Sequence, residues 1–341
     1  MILGSLCGLR NVSQIHQWAV NDRVAEFLSK HFDIKNIPCY FWLLCLLKMI
    51  KPSSLNNCLI RWTQSFLPDG VRGLTLSFDG KTVRSTTKMD KYEKPLHIIS
   101  AHIAELGITL AGHKVNDKTN EIPAMRELIE LLDVEGCTIV ADALHCQKET
   151  ATTIVKNKAD YLLSVKGNQP TLKEDIENYV HNDGLQKGMD TAKTLEHNGG
   201  RIERRTAFVS HETDWLSGWP NLSCIGAIHT QFDYKGKVTS EWHYYISSAH
   251  LSAQELLKHA PRMEWSVESM HWLLDVHFGE DLCRIEDENA QQNINIIRKI
   301  ALNNIKLYKQ EVKSKLPLSK IMFGCLLDCE KLIEVLMVGE D

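Results

Sequence analysis

Three carboxylates in this chain stand where folding could bring them into joint use. Asp79 follows the apolar run Leu74-Thr75-Leu76-Ser77-Phe78 and precedes Gly80. Asp142 closes a second apolar run, Thr138-Ile139-Val140-Ala141. Glu268 lies among aromatics in Trp265-Ser266-Val267-Glu268-Ser269-Met270-His271-Trp272, a stretch with helical spacing. A carboxylate at the end of a buried strand is desolvated unless a cation compensates it. Two strand-borne aspartates and a helix-borne glutamate have the donor chemistry to hold a pair of Mg²⁺ ions, and such a pair promotes phosphoryl transfer on a nucleic acid.

Each acid also has a plainer reading. Asp79-Gly80 is a common turn pair, with Gly80 kinking the backbone. Gly80-Lys81-Thr82 imitates the end of a phosphate-binding loop, but that loop requires a glycine at position 75, where Thr75 stands, and a helix after it. Asp142, His145 and Cys146 are a conceivable zinc set, although their spacing is tighter than zinc sites use. Glu264, Glu268, His271, Trp272 and Asp275 share one broad helical face, which could be a solvated acidic surface. Seven Lys/Arg and one Glu fall between Arg298 and Lys320. That run suits phosphate contacts or a solvated helix face equally well.

The elements that must position these acids follow from periodicity and punctuation. Residues 1 to about 70 read as helical, with Gln14–Phe32 and Tyr40–Ile50 as the main segments. Strands are expected at Leu74–Gly80, His97–Ala104, Thr109–Val115, Cys137–Ala143 and Tyr161–Val165. Helices are expected at Ile122–Leu132, Lys148–Lys158 and Pro170–Val180, and the polar segment Ser85–Lys94 joins the first two strands. The near-continuous apolar character of Cys137–Ala143 marks a central strand. The order βββαβαβα indicates a mixed α/β sheet. From about 183 to 250 the runs Arg205–Ser210, Leu222–Thr230 and Glu241–Ser247 read as an all-β insertion. Helices at Ser252–His259, Glu264–Val276 and Ala290–Gln310, then a short one after Pro317, complete the chain. The expected division is a helical region at 1–70 and a catalytic domain at 71–341.

At 341 residues, 43% hydrophobic and 24% charged, the composition is ordinary for a globular protein. The net charge of −4 means that any nucleic-acid surface must be a local patch. The apolar stretch Pro38–Leu47 is too short to span a bilayer. No signal-peptide pattern precedes it. Ten cysteines with no Cys-x-x-Cys pair read as reduced thiols in a soluble, cytoplasmic protein.

Beyond these readings, the chain resembles the DDE insertion-sequence transposases, specifically the H-repeat-associated or ISAs-type family. The resemblance runs through Phe78-Asp79-Gly80-Lys81, Asn120-Glu121-Ile122, Ala141-Asp142-Ala143 with Cys146-Gln147-Lys148, and Lys166-Gly167-Asn168-Gln169. It continues through Trp265–Glu268, Leu273-Leu274-Asp275-Val276, Glu280-Asp281, Cys283-Arg284-Ile285, Asn289-Ala290 and Arg298 to Asn303. It implies a ribonuclease-H-like core with a β insertion between the second and third acids. It implies a catalytic, metal-holding triad of Asp79, Asp142 and Glu268, using Mg²⁺ with Mn²⁺ as substitute. Lys81, Lys166, Asn168, Gln169 and Arg262 are implied to contact DNA or support the acids. The implied activity is cleavage of double-stranded DNA at element ends and transfer of the 3′-hydroxyl to a target, by a homodimer in the DNA complex. The same motifs leave open a truncated DNA-binding remnant or a cellular nuclease of this fold. In place of the wider superfamily's flanking tyrosine and lysine stand His259 and Asp275, and Glu264 replaces an expected histidine. The leading helical region is about forty residues shorter than expected for the family.

Overall fold

Polar caps and prolines start helices in this chain much as the spacing predicts. The computed structural model describes residues 1–84, 96–115, 121–198 and 200–339, except for the side chains of 198 and 261–268. Five helices come first: α1 (Ile2–Leu6), α2 (Val12–Ala19), α3 (Asp22–Phe32), α4 (Tyr40–Met49) and α5 (Pro52–Ser65). Asn11 caps α2 by accepting from the Gln14 backbone N–H, and Pro52 opens α5 where its missing N–H costs nothing. Then follow β1 (Thr75–Thr82), β2 (His97–Ile103), β3 (Ile108–Val115), α6 (Glu121–Leu131), β4 (Thr138–Ala141), α7 (Lys148–Lys156), β5 (Asp160–Val165), α8 (Pro170–Val180) and α9 (Asp183–Gln186). Four long strands, β6 (Asp190–Asn198), β7 (Arg201–Ser210), β8 (Cys224–Tyr234) and β9 (Lys237–Ser247), lead to α10 (Ala253–Phe278), α11 (Glu288–Glu311), α12 (Leu318–Leu327) and α13 (Cys329–Leu336).

The fold is a mixed α/β sheet with many helices, as expected, and the chain divides into two compact units. The first comprises Met1–Pro68, Gly80–Glu121 and Glu268–Asp341; the second comprises Asp69–Asp79 and Ile122–Val267.

In the second unit, β1, β4 and β5 are parallel neighbours. The β-rich stretch is not detached from them. Its last strand, β9, pairs antiparallel with β5, and β8, β7 and β6 follow outward. One apolar core runs beneath all of it. Val140 and Leu162 from the parallel strands pack with Val209, Ile228 and Tyr245 from the added strands and with Leu256, Leu257 and Ala260 of α10. The tight β8–β9 hairpin turns on Lys235 and Gly236, both with positive φ, as a two-residue loop between right-twisted strands requires.

In the first unit, β2 and β3 form an antiparallel hairpin, and the end of β1 lies beside β2, where Val83 N–H donates to Leu96 O. The hairpin's polar partner is α11, a buried helix whose inward face carries side-chain amides. Asn303 bonds both the N–H and the C=O of Thr109, and the Asn293 amide donates to Leu47 O and Ile50 O.

Two readings need revision. The two helices expected at Ser252–His259 and Glu264–Val276 are one continuous helix, α10, which runs through Pro261. Strand β6 went unread because its sequence, Asp-Thr-Ala-Lys-Thr-Leu-Glu-His-Asn, is polar along an edge that pairs only with β7. The connecting segment Ser85–Lys94 lies outside the described residues. Among the described residues, no helix is long and apolar enough to cross a membrane.

Candidate active site

Parallel pairing sets two of the three acids side by side. Phe78 is in register with Ala141 across β1 and β4, so Asp79 and Asp142 come next along the two chains. Strand β4 ends at Ala141, but β1 runs on to Thr82, so Asp79 lies within its strand and not at the expected strand end. Adjacent strands lie about 4.8 Å apart, and register partners share a face. Continued one residue beyond that pair, the register sets Asp79 and Asp142 opposite one another beside the C-terminal end of β4, where open sheets bind ligands. Thr75 lies on the Asp79 face of β1, four residues earlier. Its hydroxyl meets His259 Nδ1 of α10 at 2.9 Å, within the second unit.

Asp142 also holds its own turn. It caps the 3₁₀ turn Ala143–His145 by accepting from Leu144 N–H at 3.0 Å. The loop after β5 reinforces that turn from below: Asn168 donates its amide to Ala143 O, and Gln169 donates to Cys146 O at 2.9 Å. These two residues support the segment that follows Asp142. Lys166, one turn of loop earlier, is exposed. The side chains of Glu268 and Arg262 lie outside the described residues; both positions are on α10.

Lys81 is not a surface cation. Its ammonium lies 2.8 Å from Asp275 Oδ2, 2.5 Å from Glu280 Oε2 and 4.0 Å from Asp281 Oδ1, with 15% of the side chain exposed. Burial pulls the Lys81 ammonium down, but Glu280 and Asp275 outweigh it and hold it above its ordinary value. Asn295 of α11 also donates to Glu280. Among the described residues, Asp275, Glu280 and Asp281 are the acids whose oxygens converge as metal ligands would, within 4.8 Å of one another. The cation in their midst is a lysine of the chain itself.

Gly80 has a reason that the sequence did not disclose. It continues β1 as regular strand, without the expected kink. A Cβ there would lie 2.5 Å from His97 Nε2 and 2.6 Å from the Glu121 carboxyl carbon. These two groups meet at 2.7 Å, and Thr82 Oγ1 meets His97 Nδ1 at 3.0 Å. Glycine is what lets a histidine–carboxylate pair pass against the strand directly after Asp79.

The remaining alternatives also resolve. Asp142, His145 and Cys146 are not among the convergent ligand groups of the described residues. Burial pushes the Cys146 thiol up to about 12, whereas zinc binds the thiolate. Nor is the basic run after Arg298 simply a solvated face. Arg298 and Lys299 are buried, Lys299 donates to Ser100 Oγ at 2.8 Å, and Lys306 donates to Gly107 O. Sequence reasoning missed the roles of His97, Ser100, Asn295 and Lys299. The available signal was the density of asparagine and basic residues on a helix otherwise rich in isoleucine.

Known proteins resemble this chain over most of its length. Residues 72–304 match the family model described as "Transposase DDE domain". The chain is 36% identical over 289 residues to "Putative transposase YncI" of Escherichia coli O157:H7, covering 82% of this chain and 73% of that protein. It is 32% identical over 305 residues to "H repeat-associated putative transposase YhhI" of Escherichia coli strain K12, covering 85% and 80%. Among solved structures, the piggyBac transposase synaptic complex with hairpin DNA is similar at a TM-score of 0.42 and 13% identity, over 79% of this chain and 55% of that one. The chain belongs to the DDE transposase family, in the H-repeat-associated group.

Proposed function

We propose that this chain is a DNA transposase that cuts double-stranded DNA at the ends of an insertion sequence and joins the freed 3′-hydroxyl to a target. The observation that carries the proposal is the parallel register of Phe78 with Ala141, the residues directly before Asp79 and Asp142. Relatives named as transposases support it. Hard oxygen donors of this kind suit Mg²⁺, with Mn²⁺ as a substitute. In this reading Asp79 and Asp142 hold the metal pair, and Glu268 completes the set. The ions would supply activation of a water or 3′-hydroxyl and stabilisation of the leaving oxygen.

The chain's own residues do the positioning. Asn168 and Gln169 fix the turn after Asp142, so its carboxylate starts from a defined backbone. Lys81 anchors the strand two residues beyond Asp79. Lys166, exposed at the end of β5, is available to a DNA phosphate, and Arg262 of α10 belongs to the same proposed contact set. A homodimer follows from the need to hold two element ends at once. The division into an accessory helical region at 1–70 and a catalytic domain at 71–341 is part of the same proposal.

The test is Asp142→Asn in a cleavage and strand-transfer assay with Mg²⁺ on a labelled duplex carrying the element ends. Loss on the order of 10³-fold or more is expected, with circular dichroism and melting unchanged, because asparagine can keep the cap on Leu144 N–H while giving up the anionic ligand. Cleavage by the variant at the wild-type rate would remove the assignment. Cutting by the wild type without any strand transfer would make the protein a nuclease of this fold.

A further inference from the structure

We propose that a cavity of about 900 Å³ in the first unit is an anion site that receives a phosphate of a nucleic-acid strand. It is bounded by the start of α2, by α4, by the segment 279–288 and by α11. Four cations line it: Arg10, Lys48, Arg284 and Arg298. Arg298 is 2% exposed, yet its described hydrogen bond goes only to the Arg10 carbonyl, at 2.9 Å. The Arg10 guanidinium likewise donates to a carbonyl, that of Val276, at 2.9 Å. Among the described residues, no carboxylate lies within ion-pair distance of any of the four. A buried guanidinium without a counter-ion is costly to maintain, and an anion in the cavity removes that cost.

Three acids also line the cavity, Glu286, Asp287 and Glu288, and the last two are engaged by other groups. Asp287 caps α11 through Ala290 N–H, and Glu288 takes the Lys114 ammonium at 2.5 Å. The N-terminal turn of α2 also lines the cavity, adding the positive end of a helix dipole. The volume far exceeds what a lone phosphate needs, and Tyr40, Leu44 and the largely exposed Leu282 supply apolar walls. Those two features favour a phosphate carried on a sugar and base over a free ion. Arginine forks suit phosphate oxygens better than a point charge does.

The inference rests on the transposase reading only for the source of the phosphate, so the test has two arms. In the first, melting temperature is followed with inorganic phosphate against chloride at equal ionic strength. Phosphate should raise it for the wild type and not for Arg298→Gln, and it should do so less for the exposed pair Lys48→Gln/Arg284→Gln. In the second, affinity for a fluorescein-labelled DNA duplex is measured against salt. The slope of log K against log salt should fall by about 0.9 for each cation removed, hence by about 1.8 for the pair. Equal stabilisation of wild type and variants by phosphate overturns the site. Selective stabilisation with an unchanged salt slope overturns the nucleic-acid source and leaves a free phosphate as ligand. Failure of the wild type to bind DNA at all sinks the transposase reading, while the phosphate arm still decides the anion site. Should Arg298→Gln misfold, the exposed pair decides both arms.

Discussion

At the scale of single residues, the cation nearest in sequence to a candidate acid does structural work. Lys81 is bound by Asp275 and Glu280, and the buried Glu280 also receives Asn295. Removing one partner of such a group leaves an uncompensated charge, whereas removing both partners does not. Lys81→Ala should therefore lower unfolding stability by about 3–5 kcal/mol in urea titrations. Lys81→Met combined with Glu280→Gln should recover most of that loss. A double variant as unstable as Lys81→Ala would show that the charge is not the cause. The Asp-Gly-Lys run was visible in the sequence, but its logic was not. What demands glycine is a pair from two other segments, His97 and Glu121, and what engages the lysine lies some two hundred residues later.

At the scale of elements, the strands that lead to Asp79 and Asp142 were legible because each contains a short apolar run directly before its acid, although β1 continues to Thr82. The insertion was legible as β but not as an extension of the sheet, since the β5–β9 pairing is a choice made by a free strand edge. The continuity of α10 through Pro261 was hidden by the usual reading of proline as a helix breaker. The most informative element is α11, whose asparagines satisfy backbone groups of other elements. Asn303 bonds the Thr109 N–H at 2.9 Å and its C=O at 2.7 Å. Asn303→Ala would orphan both groups in a buried setting, and a loss of about 2–4 kcal/mol is expected in denaturant titrations. A change below about 0.5 kcal/mol would mean that water replaces the amide.

At the scale of the whole molecule, the first unit buries cations as well as apolar groups. Burial lowers the Lys299 ammonium from its ordinary 10.5 to about 8; Glu280 partly offsets the shift and Lys81 adds to it. A lysine depressed on folding costs stability fully below the folded value, and the cost fades as pH rises toward the unfolded value. Lys299→Met should thus exceed the wild type by on the order of 3 kcal/mol at pH 7, with the gap closing near pH 10.5. Paired urea titrations at the two pH values check this, and a gap that persists at the higher pH would contradict it. By itself the sequence determined most of the elements, the apolar runs that lead to Asp79 and Asp142, and the family, because those depend on periodicity and short motifs within one stretch of chain. Tertiary structure alone decided that Lys81 neutralises acids of distant segments, that Gly80 clears a histidine–glutamate pair, and that the β insertion lengthens the sheet. Each of these depends on partners distant along the chain, and electrostatic compensation and close approach are properties of atoms in space.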